Sequence, residues 1–542
     1  VNPVHHLKRP ADSIPAAFRA AAAARAETVC LHGEGGGLTY GTLDARSDWV
    51  ASAFAARGIG QGDRVGLLCP NGAEFAIAYL GILKCGATAV PLNLLLSARE
   101  LHYCLADSGA GALVHHQAFD AAAAAATQGL DLALKVRIGA GSGTGALVFE
   151  GLQGPGGPLP GPAPDPLESV AAILYTSGTT GRPKGAMLTH ANLLANTAAV
   201  AEALALVPED RVLVVLPMFH AFAATVGLLT PLLSGAALIP VARFEPKALS
   251  QAIGEHGATI FLGVPSMYGV LLRIEESALA QWSGVRLCVS GGAALPAAVM
   301  AAFESRFGVP VVEGDGPTEC SPVTCVNPPC GVRKPGSVGL PLPGVEMRIL
   351  DGVGQEVPDG SPGEVCVRGP SVMKGYWGLP EATREAFFGD WFRTGDLGTR
   401  DPDGYFYLVD RIKDLIIVNG MNVYPRVVEE ALYEHPAVAE VAVVGESDPR
   451  HGEVPVAHLA FKPGQQATAA ELRDWCRGRL GRHEVPRRVE IREALPKNAA
   501  GKILKRELRL AGERERGVAL PPVDRGPLPD YTERLSQDPG PD

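Results

Sequence analysis

The sequence predicts an α/β protein. It comprises a large N-terminal domain of parallel and mixed sheets with flanking helices, a β-rich subdomain, and a small α+β domain at the C-terminal end. Three observations predict this. The chain has 542 residues, too many for one compact core. Short apolar strands alternate with helical patterns in the earlier part of the chain, which argues for βαβ units. From Gly336 the texture changes to short alternating strands separated by Asp-Gly and Pro-Gly turns, as in a β-rich subdomain.

Taken in order, "RVGLLCP" reads as a strand, "GAEFAIAYLGILKCG" as a helix and "TAVPLN" as the next strand. The Gly- and Pro-rich segment from Gly139 to Asp165 has no G-x-G-x-x-G before a helix, so it reads as a linker or surface loop. "VAAILY" is a strand, followed by the loop "TSGTTGRPKG", and Thr189 is placed to cap a helix beginning near Ala191. Further alternation runs through "GATIFLGVP", "VRLCVSGGAAL" and "VPVVEGDGPTEC". The expected domains are 1–411, with the β-rich subdomain at about 336–411, then 412–512. The tail 513–542 is rich in Pro, Arg, Asp and Glu and is expected to be disordered.

Composition excludes several classes. The net charge of -10 offers no general attraction to nucleic acid or anionic lipid, so a polyanion site must be local. The uncharged run from Val212 to Ala242 is long enough for a bilayer, but Pro217, His220, Pro231, Ser234-Gly235 and Pro240 break it into strand, loop, helix and strand. No signal-peptide core opens the chain and most of the ten cysteines sit in apolar runs, which together suggest a cytoplasmic protein. Cys320, Cys325 and Cys330 lack the C-x2-C spacing of zinc sites and are expected to pack.

The stretch "YTSGTTGRPKGAMLTH", Tyr175–His190, is a candidate phosphate cradle. It is not a Walker loop, because Lys184 follows Arg182-Pro183 rather than the last glycine of the turn. Backbone N–H groups and hydroxyls of Thr176, Ser177, Gly178, Thr179, Thr180 and Gly181 suit phosphate oxygens, and Lys184 adds a positive charge. Taken alone, the loop fits a plain surface loop equally well.

Other motifs follow it in order: "SGGAAL", "GPTE", "GEVCVRGPSVMKGYW", "FRTGDLG", "DRIKDLIIVNGMNVYP" and "LPKNAAGKILK", with "LKCGATAVPLN" upstream. With these, the chain resembles the acyl-adenylate-forming superfamily, and within it the acyl-CoA synthetases (fatty acid–CoA ligases), from roughly Leu83 to Arg506. The resemblance implies an enzyme that uses ATP and Mg²⁺ to convert a carboxylate into an acyl-adenylate, with coenzyme A then displacing AMP. It also implies that the small C-terminal domain is a mobile lid. A carboxylate is already ionised at neutral pH, so the first step needs alignment and charge neutralisation rather than a general base.

From the loop, the hydroxyl of Thr176 or Ser177 can reach a hydrated metal ion; carried onto this sequence, the resemblance implies that Glu319 holds Mg²⁺, with Thr318 near the phosphates. Asp396 would take the ribose hydroxyls, and Arg411 would support the ribose or phosphates. Gly291, Gly292, Ala293, Gly314 and Gly316 would line the adenine side, and Lys502 would donate to the α-phosphate and the substrate carboxylate. Lys413 marks the hinge of the lid, and Gly420 with Met421 would meet the pantetheine arm of coenzyme A. One position departs from the pattern: Asp315 stands where the family usually has a stacking aromatic.

The run "PMFHAFAATVG" would wall the acyl pocket, with His220 beside the reacting carboxylate and Ala221, Phe222, Ala224, Gly227 and Met267 as lining. These segments offer neither an acidic partner for an amino acid nor a cation for a dicarboxylate. A medium- or long-chain fatty acid is therefore expected, with an aryl or alicyclic acid as the rival. An adenylating enzyme that loads a carrier-protein thiol is a further alternative. The expected partners are the acid, ATP and coenzyme A, with no nucleic acid and no transmembrane segment. The oligomeric state, a homodimer included, is left open.

Overall fold

The computed structural model describes residues 11–33, 36–139, 146–152, 165–176, 182–497 and 501–515. The expected disordered tail lies outside them from 516 onward, while the helix Lys505–Glu515 carries regular structure just past position 512.

The described residues form four sheets. One contains the strands Arg64–Leu68, Thr88–Pro91, Ala112–His116 and Leu134–Ile138 in parallel, and at its other side Val170–Thr176 pairs antiparallel with Lys184–Thr189. A second sheet sets Arg211–Val214, Ala237–Pro240, Ile260–Gly263, Leu287–Ser290 and Val311–Asp315 in parallel. Several of these strands, such as Thr88–Pro91, Ile260–Gly263 and Leu287–Ser290, are buried along their whole length, the pattern expected where both faces of a parallel sheet are covered. The helix Ala73–Lys84, for example, has ten buried residues and no polar face, which fits burial all round.

The uncharged run Val212–Ala242 divides as expected into strand, loop, helix and strand. Among the described residues no helix is long and apolar enough to cross a membrane. The Gly- and Pro-rich segment is not wholly a linker. Leu147–Val148 adds an edge strand beside Leu134–Ile138, and Phe149 is buried next to it.

The β-rich part is an antiparallel sheet of Glu346–Leu350, Gly363–Arg368, Trp391–Arg400, Phe387–Phe388 and Phe406–Arg411. Beyond it Ile416–Val418, Met421–Val423, Val438–Asp448, Gly452–Phe461 and Arg488–Ile491 make the last sheet. A hydrophobic cluster of its own, built from Ile416, Val428, Leu432, Val443, Leu459 and Leu472 among others, underlies that sheet. Cys320 and Cys325 pack in the interior as expected, whereas Cys330 is exposed.

Candidate active site

The cradle stretch is a hairpin, not a strand running through a loop into a helix. Thr176 pairs with Lys184, and the pairing continues to Val170 and Thr189. Thr189 then caps the helix His190–Ala203 in a capping box with Asn192, one residue earlier than the sequence suggests. Ser177, Gly178, Thr179, Thr180 and Gly181, the hairpin tip, lie outside the described residues. The base of the hairpin is clamped by one helix, Ala98–Ser108. Tyr175 donates its hydroxyl to Asp107 at 2.6 Å, and Tyr103 donates to the Pro183 carbonyl at 3.1 Å.

Across from this base stands Glu319, which is buried in the short turn Thr318–Cys320 with Thr318 half-buried beside it. Its Oε1 accepts from the Thr176 hydroxyl at 3.1 Å and from the Tyr376 hydroxyl at 3.0 Å. Lys184 Nζ lies 5.1 Å from the centre of the Tyr376 ring. A carboxyl and a hydroxyl within hydrogen-bond distance supply hard oxygen donors. That donor set fits Mg²⁺, which keeps waters and phosphate oxygens for the rest of its shell.

Asp396 and Arg411 face each other across the β-rich sheet and are ion-paired at 2.8 Å. The Asp396 backbone N–H is held by Thr394 Oγ1, while Glu364 accepts from Gly395 N–H and pairs with Arg393. Asp396 is 7% exposed, and its Oδ1 accepts from Arg411 Nε.

Lys502 enters this cluster from the C-terminal segment. The approach is close: a Cβ on Gly501 would sit 3.1 Å from Ser266 Oγ and Val264 Cγ2, and φ there is +79°, a conformation that favours glycine. Arg411 first, and burial second, lower the Lys502 ammonium to about 8. Lys413, in the turn Ile412–Asp414, is lowered by burial and then by Arg411. Asp315 is raised by burial and then by Asp396. Three cations, Arg411, Lys413 and Lys502, therefore converge with two carboxyls, Asp315 and Asp396. The arrangement favours an arriving anion.

Asp315 ends the strand Val311–Asp315, between two glycines that tolerate no side chain. A Cβ on Gly314 would lie 2.8 Å from the Cys325 carbonyl, and one on Gly316 would lie 1.8 Å from that of Pro322. Gly291 packs under the Phe222 ring, whereas Gly292 and Ala293 are exposed at the turn that follows.

Gly291, Gly292, Gly314, Asp315 and Gly316 line one pocket together with His220 and Phe222. It encloses about 560 Å³ of empty space, mouth included, and its remaining wall is Val200, Ala203, Leu204, Val226, Val289, Ser290, Pro322, Val323, Val326 and Leu342. Burial, and secondarily Lys502, lower His220 to about 4, so it is neutral at physiological pH. Its Nδ1 accepts from the Phe222 N–H at 3.3 Å, which leaves the proton on Nε2 as a donor toward the pocket end.

Of the residues expected to line the acyl pocket, His220 and Phe222 do so. Ala221, Ala224, Gly227 and Met267 are not among its lining residues and are buried instead. Residues Ala223–Leu229 wind as a π-helix, which turns the side chains away from α-helical positions. A Cβ on Gly227 would meet Val214 at 2.9 Å in the core, and Val226 reaches the pocket instead. Gly420 and Met421 belong to an exposed Asn-Gly hairpin, with φ of 52° at Asn419 and 83° at Gly420. They do not line this pocket. Sequence reasoning passed over Tyr376, Glu364, Asp107 and the apolar wall from the helix His190–Ala203, since each reaches the site through long-range pairing.

Known proteins share this architecture. A family profile described as AMP-binding enzyme matches residues 18–377, and one described as AMP-binding enzyme C-terminal domain matches 427–502. A feruloyl-CoA synthase of Amycolatopsis sp. is 40% identical over 489 residues, covering 89% of this chain and 95% of the relative. A long-chain-fatty-acid–CoA ligase of Bacillus subtilis (strain 168) is 36% identical over 536 residues, covering 93% and 95%. The crystal structure of an anthranilate CoA ligase in complex with anthranoyl-AMP superposes with a TM-score of 0.86 at 31% identity, covering 93% of this chain and 98% of that one.

Proposed function

Since the chain belongs to the AMP-binding enzyme family and is an AMP-forming acid–CoA ligase, we propose that its acid is an aryl or arylalkenoic carboxylate with no second charged group. The carboxylate would attack the α-phosphate of ATP to give acyl-AMP and pyrophosphate, and the thiol of coenzyme A would then displace AMP. The observation that carries the reading is the single pocket shared by His220, the apolar wall and the glycines around Asp315. In-line attack needs both reactants in one cavity. Apart from Asp315, its lining residues carry no charge.

In this reading the His220 Nε2–H donates to the acid carboxylate. Lys502 donates to the α-phosphate as negative charge shifts onto it. Asp396 accepts from the ribose, Lys184 meets the leaving pyrophosphate, and Glu319 with Thr176 would hold Mg²⁺, which neutralises phosphate charge when bound. The feruloyl and anthranilate relatives favour a ring in the pocket. A medium- or long-chain fatty acid is the second reading, favoured by the Bacillus relative and by walls that are almost wholly aliphatic.

The test is pyrophosphate release and thioester formation across benzoates, cinnamates and fatty acids, with and without coenzyme A. Highest kcat/KM on aryl acids is expected. A preference for fatty acids would select the second reading, and pyrophosphate release with no thioester would overturn the ligase reading.

A further inference from the structure

Gly375–Tyr376 is the outer strand beside the cradle hairpin, and Trp377 follows it directly. Gly375 pairs with Met187 and Tyr376 with Ala186, and the Trp377 N–H donates to the Gly185 carbonyl at 2.7 Å. Successive side chains of a strand point to opposite faces. On one face the Trp377 indole donates to the Asp107 carbonyl at 3.0 Å, tying the strand to the helix that clamps the hairpin. On the other, the Tyr376 hydroxyl reaches Glu319 Oε1, the same oxygen that Thr176 holds. The backbone does likewise, since the Met373 N–H donates to the Glu319 carbonyl at 2.7 Å. Two hydroxyls thus converge on one oxygen of Glu319. Among the described residues no hydrogen bond occupies its Oε2.

We propose that Tyr376 is a positioning residue for the cation-binding carboxylate: with Thr176 it fixes the orientation of Glu319 toward a divalent cation, while its ring seats the Lys184 ammonium. This rests on the reading above that the site takes ATP with a divalent cation. A glutamate side chain has several rotamers, and a ligand carboxyl that is already oriented loses less freedom when the cation binds. Outer partners of this kind are worth about 10–100-fold in metal affinity.

The test is isothermal titration of ATP into the full-length protein, once with excess Mg²⁺ and once in EDTA, with no acid present. The ratio of the two Kd values reads the cation's contribution. Tyr376→Phe keeps the ring and removes only the hydroxyl. It is expected to cut that ratio about tenfold, leaving the EDTA Kd and the melting temperature unchanged. Tyr376→Ala also removes the seat of Lys184 and is expected to weaken ATP in both buffers. An unchanged ratio in Tyr376→Phe overturns the inference while the proposed function stands. So does an equal loss in both buffers, which would mean general distortion. A wild-type protein whose ATP affinity ignores Mg²⁺ would overturn the cation reading itself.

Discussion

The apolar pocket and the charged cluster beside it, the proposed acid and nucleotide ends of the site, are built on different principles. At the proposed nucleotide end, each carboxyl is held by short bonds: Asp396 by Arg411, and Glu319 by the hydroxyls of Tyr376 and Thr176. At the acid end, Val200, Ala203, Leu204, Val226 and Leu342 make a wall defined by shape alone, ending on one neutral histidine. Charge and hydrogen bonding demand particular residue types, whereas an apolar wall accepts many. The first end is therefore suited to one constant reactant, and the second can be refitted to different acids without touching the first.

Variants that separate the ends should give effects of graded size. The largest is expected from Lys502→Ala, which removes a donor to charge developing on the α-phosphate. Acid-dependent pyrophosphate release should fall about 10²–10³-fold, while coenzyme A should still thiolyse a supplied acyl-adenylate. Equal loss in both half-reactions would place Lys502 outside the adenylation step. Next comes Ala203→Phe, which fills the acid end; the KM for a bulky acid should rise at least about tenfold with the KM for ATP unchanged. A matching change in ATP would show that the ends are not separable.

The pH profile sharpens the same contrast. Lys502 is lowered to about 8 by Arg411 and burial, so its cationic form disappears as pH rises through that value. The kcat/KM for ATP should fall above about pH 8. His220, at about 4, stays neutral across the working range and should add no limb between pH 5 and 7 (an approximate window). A profile flat to about pH 10 would contradict the role given to Lys502.

The smallest effect is expected at the boundary between the ends. Asp315→Tyr restores an aromatic face beside Gly314 and Gly316 and should lower the KM for ATP a few-fold, about 1 kcal/mol of stacking. No change would mean that the position does not touch the base.

The same contrast explains what could be seen in the sequence. Glu319, Asp396, Arg411 and Lys502 could be proposed from the sequence because charged chemistry leaves short motifs with fixed residue types. The βαβ alternation was legible from apolar runs and turn residues. The hairpin that carries Lys184 was not, because "KGAMLT" reads as a continuation of a glycine-rich loop until its pairing with Val170–Thr176 is known. Tyr376 was hidden for the same reason: its contact with Glu319 spans 57 residues. Gly227, offered as lining because it is small, lies against Val214 within the π-helix Ala223–Leu229, and Val226 reaches the pocket. The apolar wall of Val200, Ala203 and Leu204 had no signal beyond ordinary helix burial.

The division of the pocket is tested most directly by a crystal structure with a non-hydrolysable cinnamoyl-sulfamoyl adenosine. The predicted result is an aryl group against Val200, Leu204 and Val226, the acyl oxygen on His220 Nε2, and the adenosine between Asp396 and the glycines flanking Asp315. An aryl group bound outside that wall, or a ribose that does not meet Asp396, would contradict it.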